Sequence, residues 1–204
     1  MNGIVLVGNA PLKKNHSFLV DNADLIVRFN LPRTYGSESG TRFDAWVIAN
    51  SGGGRRFVDG RVFINAVYKC KPSQLWFPRC VEVHKALRAQ HPDSQTLLTA
   101  ASETDISDEI IRANDLQQEN ILRFSASVYW SCMDVLSGVA TRHDPARIPS
   151  TGFLTLYYIL TILEPQPVTL VGFTFEGWKG HPWHLERKII HQWSDEGRLT
   201  FVPS

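Results

Sequence analysis

The run Phe153-Leu154-Thr155-Leu156-Tyr157-Tyr158-Ile159-Leu160-Thr161-Ile162-Leu163 is apolar nearly all round. A helix without a polar face must be buried on every side, which in a layered protein means being wedged between a sheet and other helices. The run is too short to cross a bilayer, so it reads as a core helix. Pro149-Ser150-Thr151-Gly152 introduces it. Ser150 and Thr151 are preferred N-cap types, so the buried helix begins at a polar turn. A helix start gathers unpaired N–H groups and the positive end of the dipole, which suits an anion. The same residues also serve as a plain cap with no ligand, and both readings stand at this point.

The rest of the chain alternates strands with helices. Ile4-Val5-Leu6-Val7 is a short, mainly β-branched run ended by Gly8-Asn9-Ala10-Pro11, the pattern of a buried parallel strand. Leu25 to Phe29 ends in Asn30, and Ala45 to Ala49 ends in Asn50-Ser51 and glycines 52 to 54. Three predicted strands therefore deliver small or amide residues to their carboxyl ends, where ligands of open α/β sheets sit. Further strands are predicted at Arg61 to Val67, 96–99, 121–124, Val168 to Val171 (ending in Gly172-Phe173) and Leu199 to Val202. Helices are predicted at Cys80 to Gln90, Ser107 to Asp115 (capped by Asp105 or Ser107), Val128 to Val139 and Pro182 to Asp195, the last with Leu185, Ile189 and Trp193 on one face. This order implies an α/β layered sheet, mostly parallel and flanked by helices, in a single domain over 1–204.

With 204 residues, 43% of them apolar, the chain can bury a sizeable core. A net charge of +1 with no long basic run argues against broad binding to nucleic acid or membrane, so an anion would be held locally. Cys70, Cys80 and Cys132 are an odd, scattered set that fits a reducing compartment, and a cytoplasmic location is expected. No signal peptide and no transmembrane segment are expected, because Met1-Asn2-Gly3 leads straight into the first strand. There is no GxGxxG and no GxxxxGK[ST], which excludes an ordinary dehydrogenase or ATPase. No Asp-x-Asp triplet occurs, so no metal and no cofactor are expected.

Asn9 and Asn30 stand at the ends of two neighbouring predicted strands, where a carboxamide can both donate to and accept from a ligand. Asn is also a common turn residue, tolerant of left-handed backbone. The segment Gly177-Trp178-Lys179-Gly180-His181-Pro182-Trp183-His184-Leu185-Glu186 is the second dense place. Pro182 suits the first helical position, which sets His181 just outside the helix on a glycine-rich approach, placed either for proton transfer or for capping. His184 and His191, with Lys188, read as a solvated flank.

Together these residues resemble a known family. Val7-Gly8-Asn9 with Asp24-Leu25-Ile26-Val27-Arg28-Phe29-Asn30 resembles the long sialyl motif of the animal-type sialyltransferases, glycosyltransferase family 29. Pro149-Ser150-Thr151-Gly152 through Val171-Gly172-Phe173 resembles their short motif, and His181 with Glu186 resembles their very short H-x-x-x-x-E motif. The motifs fall in the family's order and cover about a third of the chain. The resemblance implies a Rossmann-like, GT-A-like variant fold and a metal-independent inverting glycosyltransferase. Its substrate would be an acidic sugar, sialic acid or Kdo type, carried by a CMP-sugar donor to a glycan or lipid-linked glycan acceptor hydroxyl. By resemblance, Asn9, Asn30, Ser150, Thr151, Gly152 and Gly172 would hold the CMP portion, His181 would be the base, and Glu186 would orient its loop. The chain departs from the family at Leu12, where a second Asn is usual, in lacking the cysteine pair between the long and short motifs, and in compressing the His/Tyr-rich third motif between Phe173 and His181. A non-catalytic CMP-binding module of the same fold is the alternative. Acceptor recognition is expected in loops 51–60 and 174–180.

Overall fold

The structure is a computed structural model, and it describes residues 2–36, 38–58, 72–90, 105–113, 120–141, 147–163 and 165–203. Its strands are β1 (Ile4–Val7), β2 (Leu25–Phe29), β3 (Ala45–Val47), β4 (Gln74–Phe77), β5 (Ile121–Arg123), β6 (Val168–Val171) and β7 (Thr200–Val202). They form one sheet of seven strands in the order β5-β4-β3-β2-β1-β6-β7, and every pairing is parallel. Starting from β1 in the interior, the chain adds strands outward to β5 and then returns to the other side of β1 to lay down β6 and β7. The strand order therefore reverses between β1 and β6, and connections diverge there to leave a crevice beyond the carboxyl ends of the strands.

Helices cover both faces, as an all-parallel sheet requires. Alternate residues of each strand serve opposite faces. Ile4, Leu6, Val27, Phe29, Ala45, Val47, Trp76 and Leu170 join the cluster under α4 (Ala126–Val139), α5 (Thr151–Ile162) and α6 (Trp183–Asp195). On the reverse face Val5, Val7 and Ile26 meet Val20 of α1 (Ser17–Asp21), while Trp46, Leu75 and Phe77 meet Ile110 and Ile111 of α3 (Ser107–Ala113). Helix α2 (Val81–Gln90) adds Val83 and Leu87 to the first face. The apolar α5 buries Phe153, Leu154, Leu156 and Ile159, and Phe153 stacks on Trp193 of α6 at 5.6 Å between centroids.

Most predicted elements appear with their ends shifted by a residue or two. The predicted strands Arg61 to Val67 and 96–99 lie outside the described residues. β4 was not anticipated. Leu75-Trp76-Phe77 sits between Pro72-Ser73 and Pro78, too short a run to show a period, and only pairing with both β3 and β5 makes it a strand. Residues Gly52–Phe57, expected as a loop, form a 3-10 turn whose Phe57 ring meets Trp46 at 5.3 Å. Pro182 is the N-cap rather than the first helical residue: its ψ of 60° is not helical, and its carbonyl accepts from the N–H groups of Leu185 and Glu186. For α3, the Asp105 carboxylate accepts from the Ser107 N–H at 2.9 Å.

Candidate functional site

The crevice at the reversal point holds a cavity of about 490 Å3, and Asn9, Asn30, Ser150, Thr151, Gly152, Gly172, His181 and Glu186 all line it. These residues arrive from four separate stretches of the chain, so only the fold brings them together. The cavity floor is made where β1 and β6 end. Gly8 donates its N–H to the Val171 carbonyl at 2.8 Å, and the Ala10 N–H donates to the Gly172 carbonyl at 3.1 Å, which extends the ladder past both strands. A side chain on Gly8 would run into the Gly172 carbonyl, and Gly172 itself has φ +74°, a left-handed value that glycine adopts without strain.

Both asparagines hold loops as well as facing the cavity. The Asn9 amide donates to the Phe29 carbonyl at 3.0 Å, and its oxygen accepts from the Arg33 N–H at 3.1 Å. Asn30 has φ 48°, as the turn reading anticipates, and its side-chain oxygen accepts from the Ala49 N–H at 3.0 Å. Its backbone carbonyl accepts from Trp46 Nε1 at 2.6 Å. The Asn30 Nδ2 group is the donor left over on this wall. Arg33 also lines the cavity and supplies a cation that the sequence reading did not single out; its only signal was a basic residue four positions beyond β2.

Ser150 is the N-cap of α5, with its Oγ accepting from the Phe153 N–H at 3.1 Å. The proton of that hydroxyl is already used: Oγ donates to Glu186 Oε2 at 2.7 Å, and the Ser150 N–H donates to Glu186 Oε1 at 2.7 Å. Glu186, one turn into α6 and 1% exposed, thus clamps the start of α5. With its proton so committed, the Ser150 hydroxyl has no further proton to offer the cavity. The donors free at this helix start are the N–H groups of Thr151 and Gly152 and the Thr151 hydroxyl. Burial pushes the Glu186 carboxyl up to about 7, opposed by the two Ser150 hydrogen bonds and by the charge of Arg79. Arg79, 4% exposed, lies behind this clamp and donates from Nη2 to the Pro149 carbonyl at 2.9 Å, while burial lowers its pKa. Sequence reasoning passed over Arg79, because β4, the strand that delivers it, carries no legible pattern of its own.

His181 lines the same cavity as the clamp. Its Nδ1 lies 2.9 Å from the Ile148 carbonyl, and since a carbonyl only accepts, the proton is on Nδ1 and the lone pair on Nε2. The ring stands edge-to-face between Trp178 at 4.8 Å and Trp183 at 5.0 Å. Burial lowers its pKa to about 4, partly countered by the Ile148 hydrogen bond and reinforced by Arg79, so the imidazole is neutral at neutral pH. Gly180 must be glycine, because a Cβ there would enter the Trp178 ring. Phe173 completes the wall beside Gly152 and meets Phe29 edge-on at 5.9 Å. Residues 174–178 line the cavity; of the other loop expected to meet an acceptor, 51–60, the described residues 51–58 do not. Among the described residues no three His, Cys, Asp or Glu side chains gather in metal-binding range, and no helix is long and apolar enough to cross a membrane.

No protein-family model matches the chain. A urease operon 23 kDa accessory protein of Rhizobium meliloti is 27% identical to it, over 96% of this chain and 90% of that protein. Among solved structures, a mammalian sialyltransferase superposes with a TM-score of 0.63 at 15% identity, covering 98% of this chain and 68% of that one. The same TM-score comparison gives 0.59 at 17% identity, with the same coverage, for a mammalian sialyltransferase in complex with Gal-β-1-3GalNAc-ortho-nitrophenol. The sialyltransferase CstII from Campylobacter jejuni in complex with CMP-3FNeuAc gives 0.54 at 11% identity, over 97% of this chain and 78% of its own. At such identities the likeness establishes a sialyltransferase-like α/β fold.

Proposed function

We propose that the protein is a metal-independent inverting glycosyltransferase that moves an acidic sugar from a CMP-sugar to a glycan hydroxyl. The observation that carries this reading is the convergence on one cavity, at the strand-order reversal, of the eight residues that the resemblance to the sialyl motifs assigns to a site. The CMP phosphate would sit against the start of α5, accepting from the Thr151 and Gly152 N–H groups and the Thr151 hydroxyl, with the Arg33 cation beside it. Asn30 Nδ2 and the Gly8–Gly172 floor would meet the nucleoside. His181 Nε2 takes the proton of the acceptor hydroxyl as its oxygen bonds to the anomeric carbon; the bond from that carbon to the phosphate oxygen breaks, and CMP leaves with the electron pair. A depressed pKa suits this base in one respect: it is unprotonated at neutral pH, and the hydroxyl becomes acidic only as the new bond forms. Glu186 holds Ser150, and through it the helix start, rather than transferring protons. Fold neighbours bound to CMP-3FNeuAc, and to a trisaccharide acceptor together with CMP, support the same division into donor and acceptor halves.

Titration calorimetry with CMP, UMP and AMP, followed by a CMP-sugar turnover assay, tests the reading. CMP binds in preference to the other two and donor is consumed; absence of any CMP preference overturns it.

A second reading is a nucleotide-binding module without turnover. It is favoured by the 27% identical relative being named an accessory protein, and by an imidazole pushed down to about 4, which is a weak base. CMP binding with no donor hydrolysis and no transfer would select it.

A further inference from the structure

A second concavity, about 420 Å3, opens on the outer side of Phe175 and Trp183, the two residues it shares with the main cavity. Its remaining lining is His184, Arg187, Lys188 and His191, which fall at i, i+3, i+4 and i+7 and so form one face of α6. The flank of His184, Lys188 and His191, expected to be solvated, is exposed, and it borders an aromatic groove: the Arg187 guanidinium lies 5.9 Å from the Phe175 ring centroid, and His191 meets Phe201 edge-on at 5.3 Å.

The charge in this groove is one-sided. Among the described residues no carboxylate lines it, since Glu186 points inward to Ser150 and Asp195 lies past its end. Neither Arg187 nor Lys188 forms an ion pair with a described residue. In a chain with net charge +1, two permanent cations facing one concavity make a local positive field that a merely soluble face does not need. The groove also lies one indole from the candidate base, with Trp183 between them and its ring centroid 5.0 Å from that of His181. Flat aromatic walls suit the apolar face of a sugar ring, and the cations suit an anionic substituent on it.

We infer that the groove is the acceptor subsite for an acidic saccharide, with Arg187 and Lys188 holding a carboxylate while the ring packs on Phe175 and Trp183. This rests on the reading of the main cavity as a sugar-transfer site, since that reading puts an acceptor hydroxyl at His181. The test is a titration of the CMP-saturated protein with a matched pair of probes, cellobiose and cellobiouronic acid, which differ in one CH2OH oxidised to a carboxylate. The acid disaccharide should bind at least about fivefold more tightly, and the preference should shrink as salt rises. Arg187→Glu with Lys188→Glu, both exposed and away from the core, should abolish the preference and leave CMP affinity within about twofold. Equal binding of the two probes, binding of neither, or a preference that survives charge reversal overturns the inference. If CMP fails to bind while the charge-dependent preference is present, the acidic-saccharide site stands and the CMP-sugar reading falls.

Discussion

Glu186 and His181 line the same cavity, yet burial moves their protonation in opposite directions, and stability should carry the imprint of both. The folded Glu186 carboxyl sits at about 7 against an ordinary 4.5, so between those values the folded state holds a proton that the unfolded chain has released, and stability falls as pH rises. The folded His181 imidazole sits at about 4 against an ordinary 6.5, so over that span the unfolded chain holds the extra proton, and stability rises with pH. From pH 4.5 to 6.5 the two contributions, each about 1.4 kcal/mol per pH unit, oppose each other and nearly cancel. Glu186→Gln removes one side. Its stability relative to the parent should therefore climb by about 2.7 kcal/mol across those two units, equivalent to roughly 5–10 °C in Tm for a chain of this size. His181→Gln should show the mirror trend, losing a similar amount relative to the parent as pH rises. Urea denaturation of the three proteins at half-unit pH steps measures both differences, and subtraction removes every other titrating group. A Glu186→Gln difference that stays flat from pH 4.5 to 6.5 would refute the burial argument for the clamp.

Three further outcomes are expected. His181→Ala should lower sugar transfer by about 10²–10⁴-fold while CMP affinity stays within about threefold, read from initial rates and calorimetry; an unchanged rate removes His181 as the base. Added EDTA should leave turnover intact if, as proposed, the α5 start and Arg33 stabilise the departing phosphate; loss of turnover restored by magnesium or manganese contradicts this. Gly152→Ala places a Cβ 2.9 Å from the Phe173 ring, which must shift, so CMP should bind roughly fivefold or more weakly while Tm changes by only a few degrees; equal affinity would show that the Phe173 wall is not in contact with the nucleotide.

Much of this molecule was decided locally and so was visible in the chain. Gly172 and Ser150 are constrained by backbone conformation and capping, which act over a few residues. Short β-branched runs and an all-apolar helix carry their own burial requirement, which is why the layered parallel sheet was legible in the chain, while the eight candidate site residues were legible through their resemblance to the sialyl motifs. β4 was not readable that way, because Leu75-Trp76-Phe77 becomes a strand only through hydrogen bonds to β3 and β5, each distant in sequence. The same holds for chemistry. That the Ser150 proton is committed to Glu186, that Ile148 fixes the His181 tautomer, and that Arg79 stands behind both depends on partners 36, 33 and 70 residues apart. A hydroxyl, an imidazole and a guanidinium each have several equally good local states. Which one each adopts is set by the desolvated partner it meets across the fold, and that pairing exists only in the tertiary structure.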